Sequence, residues 1–258
     1  MYGICNVSLA PVRKEADDRS EMVTQLLFGE TFEVIGKQKQ WRKIVTTSDS
    51  YEGWIDEKQF AELSLKEIET LKAAPETFTI DLVQLAVHNA TTMLPLLIGS
   101  RLPAYMGHTF TVGETPYTFD GHVKTVDHTP AMRSGIVETA YVYINAPYLW
   151  GGKSPFGIDC SGFTQMVYKL NGITLKRDAN QQAEQGETLS FIAEAQPGDL
   201  AFFDNEEGRI THVGIVLSNS KIIHASGKVR IDNLDQHGIY NEDKKTYTHK
   251  LRVIKKLV

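Results

Sequence analysis

Turn residues cut the opening stretch of the chain into pieces too short to be helices. VTQLLFG (23–29), TFEVIG (31–36), WRKIVTT (41–47) and YEGWID (51–56) follow one another every 8–12 residues, punctuated by Gly29, Gly36 and Gly53. Short β-rich runs at that cadence predict a small barrel. The charged stretch 56–74 (DEKQFAELSLKEIETLKAA) favours a short helix or a linker, and Pro75 stops it. Residues 76–128 are again β-like, with TFTIDLVQLAV, LLIGSRLPAY, HTFTVG and TPYTFDGHVKT as strand material. LLFGETF (26–32) and LLIGSRLPAY (96–105) occupy comparable places, so a duplicated barrel is open at this point.

The texture changes near residue 132. MRSGIVETAYVYINA (132–146) is a helix candidate, with Ile136, Ala140, Tyr143 and Ile144 near one face. After a Gly- and Pro-rich loop, Phe163, Met166, Val167 and Leu170 repeat at i, i+3, i+4, i+7 and predict an amphipathic helix ended by Asn171-Gly172. The tail from 196 is β-like, in GDLAFFD, THVGIVLS, KIIHASG and KLRVIKKLV. The fold class expected here is α+β. A length of 258 residues has room for two domains or three small ones, and the texture suggests three: 1–63, 64–130 and 131–258.

Composition narrows the function classes. With 27 Lys+Arg against 32 Asp+Glu, the net charge is −5, which disfavours nucleic acid as a partner because phosphate binding needs a basic face. The two cysteines, Cys5 and Cys160, cannot build a disulfide framework or a Cys-rich zinc site. No run approaches the roughly 18 apolar residues of a membrane span; the most apolar, MLPLLI (93–98), contains Pro95. The N-terminus lacks a basic segment, a long apolar segment and a small-residue cleavage site. A cytoplasmic location is therefore expected, periplasmic or secreted if a signal peptide has been removed. A monomer without a cofactor is also expected.

The chemistry gathers around Cys160, at the start of the amphipathic helix in GIDCSGF (157–163). Unpartnered N–H groups and the helix dipole favour a thiolate there and should lower its pKa toward neutrality. Gly157 and Gly162 allow close approach. His212 lies in ITHVGIVLS and His224 in KIIHASG. Val213, Ile215 and Leu217 share one strand face, and His212 points to the other. If the turn between the two strands centres on Asn219, residues summing to 438 face each other. His212 then opposes Ser226, and His224 is its diagonal neighbour. In that arrangement His212 would take the thiol proton or pair with the thiolate, and His224 would fix its tautomer. The other six histidines (88, 108, 122, 128, 237, 249) lack this local context. Cys5 has no role that the sequence suggests.

FGIDCSGF, THVGIV and IIHASG, in this order over residues 136–258, resemble the NlpC/P60 cysteine peptidases, with PYLWGG (147–152) and PGDLAFF (197–203) as further matching segments. The resemblance implies a papain-like catalytic domain and makes the regions before it look like bacterial SH3 domains, two small β-barrels. Together these resemble the γ-D-glutamyl-L-diamino acid endopeptidases of the dipeptidyl-peptidase VI type. That subgroup is implied to cut L-Ala-γ-D-Glu from the diamino acid of murein peptides with a free N-terminal amine.

Carried onto this sequence, the resemblance makes Cys160 the nucleophile, His212 the base and His224 the orienting residue. Tyr148 would lie by the thiol and polarise the scissile carbonyl, beside an oxyanion donor at the Cys160 backbone N–H. Asp159 and Ser161 would bind the substrate amine and nearby groups, and Trp150 would wall the pocket. Glu21 and Tyr51, in the first SH3-like module, would meet the substrate N-terminus. Asp159 could instead cap the helix, and Tyr148 and Trp150 could be core aromatics. Asp199 reads as a turn residue. In RDANQQ (177–182), Ala179 replaces the Ser of many members, so a substrate contact would be missing or taken over by Asp178.

Three other readings remain open at the level of sequence. One is a non-catalytic peptide-binding module. Another is a metal site of Cys160, His212 and His224 without an evident fourth ligand. The last is acyl or amide transfer on the same fold. The sequence does not distinguish meso-diaminopimelate from lysine as the diamino acid.

Overall fold

The computed structural model describes residues 1–89, 92–126 and 131–258. The chain forms two compact units, Met1–His128 with Gly151–Pro155, and Thr129–Trp150 with Phe156–Val258.

The first unit opens with seven short strands: β1 (Tyr2–Cys5), β2 (Leu9–Arg13), β3 (Met22–Leu27), β4 (Thr31–Gln38), β5 (Trp41–Thr46), β6 (Glu52–Asp56) and β7 (Phe60–Leu63). They pair in the order β3-β2-β6-β5-β4-β1-β7 around a core that includes Cys5, Leu26, Phe32, Ile44 and Ile55. The stretch expected to be helix or linker from 56 to 74 divides in two. Phe60–Leu63 is extended because β1 offers it a full ladder, from Tyr2 opposite Leu63 to Cys5 opposite Phe60. The helix α1 (Leu65–Ala73) begins only where Ser64 and Glu67 form a reciprocal capping box. Its buried Ile68 and Leu71 join a second core with Phe28, Leu96, Phe110 and Phe119.

That second core is completed by β8 (Glu76–Thr79), β9 (Val83–Asn89), β10 (Thr92–Leu97), β11 (Thr109–Val112), β12 (Thr115–Phe119) and β13 (Val123–Val126). They form a four-stranded sheet, β10-β9-β12-β11, and a pair, β13-β8. The two LL-x-G segments have the same local geometry. Gly29 and Gly99 both take left-handed backbone, at φ 79 and 84. Gly29 donates to Cys5 O at 2.9 Å and Gly99 to Thr79 O at 2.8 Å, while Glu30 O and Ser100 O receive the Cys5 and Thr79 amides at 2.9 and 3.0 Å. A side chain at Gly29 would meet the Arg101 carbonyl oxygen at 2.0 Å, so the turn admits only glycine. The two-residue strand β14 (Lys153–Ser154) also belongs to this unit. The Lys153 ammonium forms a buried ion pair with Glu30, 3.2 Å from each carboxylate oxygen.

The second unit carries α2 (Arg133–Val142), β15 (Gly157–Ile158), α3 (Cys160–Lys169), α4 (Ala179–Gln182), β16 (Glu187–Leu189), β17 (Leu200–Asp204), β18 (Ile210–Leu217), β19 (Lys221–Ser226), β20 (Lys228–Asp235), β21 (Gly238–Asn241) and β22 (Thr246–Lys256). The helix expected over 132–146 stops at Val142, and residues 143–145 are turn. The sheet order is β16-β22-β17-β18-β19-β20-β21, and β21 pairs again with β22, so six strands close on themselves. Their interior holds Ala201, Phe203, Val216, Ile222, Leu234, Ile239 and Ile254. Helix α3 packs on β18 and β19, and α2 packs on α3. No helix among the described residues is long and apolar enough to cross a membrane.

Candidate active site

Asp159 starts α3. Its carboxylate accepts from the Gly162 amide at 2.6 Å, which is the capping reading of this residue. The same carboxylate is held by the guanidinium of Arg177, Nη1 to Oδ1 at 3.0 Å and Nη2 to Oδ2 at 2.6 Å, and Nη1 also donates to Ser161 Oγ at 2.9 Å. Arg177 is 1% exposed. A buried, forked ion pair therefore fixes the residues on both sides of Cys160. Sequence reasoning gave Arg177 no role, although it stands in the RDANQQ segment. Asp178 precedes α4, where its amide donates to Gln181 Oε1 at 3.2 Å.

Cys160 is the first residue of α3, as the spacing predicts, and it is buried. Burial pushes its thiol up to about 12, and the Asp159 charge adds to that; amides at Val213 and Ser161 and the Arg177 charge pull the other way without prevailing. The expected fall toward neutrality is thus overturned: removal from water outweighs the helix terminus. The sulfur lies 4.0 Å from the Thr211 carbonyl, and the Val213 amide bonds to it, so it stands against the backbone on both sides of His212.

The hairpin register follows the sum of 438. Gly214 faces His224, Ile215 faces Ile223, Val216 faces Ile222 and Leu217 faces Lys221. Asn219 and Ser220 turn the chain with φ of 58 and 54. A Cβ at Gly214 would stand 2.8 Å from the His224 Cβ, so glycine is what lets the two strands carry the imidazole there. His212 Nε2 and His224 Nδ1 are 2.8 Å apart, a hydrogen bond between two buried rings. That bond occupies Nε2 of His212 and leaves Nδ1 as its other ring nitrogen. Burial holds the His212 pKa well below its ordinary value, with the His224 and His249 charges acting in the same direction, so His212 is neutral at pH 7 and can accept a proton.

Two partners of this pair were not legible as such. His224 Nε2 is 3.0 Å from Asp232 Oδ2, and Arg230 holds Asp232 through Nε at 2.7 Å and Nη2 at 2.9 Å. His249, set aside on sequence with five other histidines, stacks on His212 at 4.1 Å between ring centres and 25° between planes. The local motif of His249 gives no sign of this, because the residue comes from β22, far along the chain. His128 lies outside the described residues. The donor atoms of His212, His224 and His249 lie within 4.8 Å of one another. Both nitrogens of His224 are already hydrogen-bonded within the group.

Tyr148 is tied to this end of the unit by a parallel bridge to Ile158 and a bond from its amide to Gly227 O at 3.0 Å. Burial raises its hydroxyl to about 12, helped by the Cys160 and Asp159 charges, so the group is a protonated donor at neutral pH. Trp150 is 62% exposed. Glu21 and Tyr51 both belong to the first unit. Glu21 pairs with Lys14 at 3.4 Å just before β3, and the Tyr51 amide donates to Thr46 Oγ1 at 2.8 Å before β6. Asp199 caps a turn by accepting the Gln196 amide at 2.8 Å and pairs with Arg133 at 2.7 Å.

The site thus holds a cysteine at a helix N-terminus against the strand that carries a neutral imidazole, which is bonded to a second imidazole. Residues 145–248 match the NlpC/P60 family, and residues 12–60 match the bacterial dipeptidyl-peptidase Sh3 domain. The chain is 30% identical over 269 residues to dipeptidyl-peptidase 6 of Lysinibacillus sphaericus, covering 94% of this chain and 96% of that protein. It is 29% identical over 215 residues to gamma-D-glutamyl-L-lysine dipeptidyl-peptidase of Bacillus subtilis (strain 168), covering 78% and 71%. A crystal structure of an NlpC/P60 family protein from Bacillus cereus ATCC 10987 superposes with a TM-score of 0.85 at 21% identity, over 99% of both chains. The protein belongs to the NlpC/P60 family and carries a bacterial SH3 domain.

Proposed function

We propose that the protein is a cysteine endopeptidase that hydrolyses the bond between γ-D-glutamate and a diamino acid in murein peptides with a free N-terminal L-Ala, in recycling or degradation of cell-wall peptides. The observation that carries this reading is the hydrogen-bonded His212–His224 pair, with the Cys160 sulfur against the backbone on both sides of His212. The near full-length similarity to a dipeptidyl-peptidase supports the substrate class.

His212 Nδ1 takes the thiol proton as sulfur adds to the γ-carbonyl carbon. The oxyanion accepts hydrogen bonds from the Cys160 amide and the Tyr148 hydroxyl. Collapse breaks the C–N bond, His212 returns the proton to the departing amine, and a thioester of L-Ala-D-Glu remains. Water then attacks the thioester, giving up a proton to His212, and the acid leaves as the thiol is restored. Because the resting thiol is protonated and the imidazole neutral, proton transfer accompanies attack rather than preceding it.

Asp159, Ser161, Trp150 and Asp178 are proposed to contribute to substrate binding, and Glu21 and Tyr51 to the choice of a free amine. The proposal includes a papain-like α+β reading of 131–258 and a second SH3-like module within 64–130. The repeated turn at Gly29 and Gly99 supports the latter. Incubation with L-Ala-γ-D-Glu-diaminopimelate and with the lysine analogue, followed by mass spectrometry, should reveal L-Ala-D-Glu. Cys160→Ala should abolish release, and a wild-type rate in that variant would remove the reading. The N-acetylated peptide should be a poor substrate; equal cleavage would discard the amine selection alone.

A further inference from the structure

The relay does not end at the second imidazole. We propose that Asp232, held by the guanidinium fork of Arg230, is the positioning residue that sets the proton on each nitrogen of the relay and so keeps His212 Nδ1 unprotonated toward the thiol. This inference rests on the peptidase reading for its consequence, though not for its geometry.

The hydrogen bonds place each proton in turn. A carboxylate only accepts, so the 3.0 Å contact between Asp232 Oδ2 and His224 Nε2 places a proton on Nε2. In neutral His224 the other nitrogen, Nδ1, is then an acceptor. It lies 2.8 Å from His212 Nε2, which must therefore carry the proton of that bond. Neutral His212 is left with a bare Nδ1, the form a general base needs. One fixed charge at the far end thus decides the tautomer of both rings.

Asp232 is built to keep that charge. It is buried at 4% exposure, receives two bonds from Arg230 at 2.7 and 2.9 Å, and accepts from Asn241 Nδ2 at 3.4 Å. Burial alone would raise its pKa, but the hydrogen bonds from His224 and Arg230 prevail and hold it below the ordinary carboxylate range. The strand register places it there. Ile222 faces Asp232 and His224 faces Arg230 across β19 and β20, which puts the carboxylate diagonal to His224 on the face that lines the sheet interior.

Asp232→Asn offers an amide of the same shape. Because Arg230 Nε donates to the same Oδ2, the variant is made together with Arg230→Leu; Asn241 Nδ2 then holds the amide oxygen at the Oδ1 position, and the NH2 donates to His224 Nε2, moves the His224 proton to Nδ1 and places the His212 proton on Nδ1. The expected result is a fall in kcat of about 10²–10⁴-fold, the scale that a reversed tautomer has in serine proteases, with KM within about twofold. Nitrogen-15 NMR of the imidazoles should show Nε2–H on both rings in the wild type and Nδ1–H on both in the variant. Arg230→Leu alone, which leaves the carboxylate in place, should keep the wild-type tautomers and lose far less activity. Unchanged tautomers in the double variant, or a kcat near that of the wild type, would overturn the proposal. If that variant does not fold, the wild-type spectrum decides: Nδ1–H on His212 overturns it and Nε2–H upholds it. A wild-type protein inactive on the tripeptide but showing the expected tautomers would remove the peptidase reading and leave the positioning role standing.

Discussion

Two buried thiols, one in each unit, separate what burial does from what neighbours do. Cys5 in the first barrel is fully buried, and Cys160 at the start of α3 is nearly so. Burial raises both to about 12. Cys5 donates to two carbonyls, Val7 O at 3.4 Å and Leu26 O at 3.6 Å, inside an apolar cluster. A backbone carbonyl is a poor acceptor for full proton transfer, so that thiol is a packing residue. Cys160 stands against the backbone that carries His212, a neutral imidazole tied to a second imidazole and a carboxylate. With resting acidity equal, the proposed difference in reactivity lies in the group placed to take the proton.

The sharpest way to break this comparison is alkylation. Iodoacetamide should label Cys160 at least about 10³-fold faster than Cys5, since one thiol has an adjacent base and the other is sealed. Peptide mapping after timed quenching reads the two sites separately. Comparable rates would mean that His212 does not serve Cys160 in the free protein. Cys5→Ala should leave kcat unchanged.

The two units also differ in how far they could be read from sequence. The hairpin of β18 and β19 was legible because one turn residue, Asn219, fixes the pairing sum, and the sum brings His212 beside His224. The same arithmetic about Gly227, where Ser226 faces Lys228, would have brought Asp232 beside His224. The signal was present in KVRIDNLD and simply lay one strand further on. His249 was not legible by such counting. Its strand is displaced by bulges against both β17 and β21, so no single sum carries its register back to His212. Helix propensity misplaced Phe60–Leu63 because pairing with β1, a long-range contact, overrides local preference. The thiol shift departs from the sequence expectation for a similar reason. A helix terminus is a local feature read from sequence, whereas desolvation depends on everything packed around it.

In the first unit the comparable charged feature is structural. Glu30 and Lys153 are buried together, and Glu30 also accepts the Leu27 amide at 2.9 Å. At the matching turn position, Ser100 takes the Leu97 amide at 3.2 Å with a hydroxyl instead of a carboxylate. Glu30→Gln should keep the bond to Leu27 through its amide oxygen while leaving the Lys153 ammonium buried without its counter-charge. A loss of about 3–5 kcal/mol is expected, as for breaking one side of a buried ion pair, measured by urea unfolding. The double variant Glu30→Gln with Lys153→Met should recover much of that loss. If the single variant is as stable as the wild type, the pair is not the buried anchor that its geometry describes.

The smallest expected effect tests the stacked histidine on the other side of the comparison. Burial lowers His249 to about 4, and the His224 and Lys244 charges add to this against the opposing charge of Asp232. In the unfolded chain the same imidazole titrates near 6.5. Between those values the unfolded state binds a proton that the folded state refuses, so stability is intact above about pH 6.5 and is lost as pH falls toward 4. His212, lowered in the same direction, steepens the loss. His249→Phe keeps a flat ring against His212 but removes one titrating group. Its melting temperature should therefore fall less between pH 6.5 and 4.5 than that of the wild type, by the equivalent of roughly 2 kcal/mol. Thermal scans at both pH values decide it. Parallel pH slopes in the two proteins would mean that His249 meets water more freely than its place on the His212 ring implies, and the contrast between a sealed relay and a solvent-open one would have to be redrawn at that face.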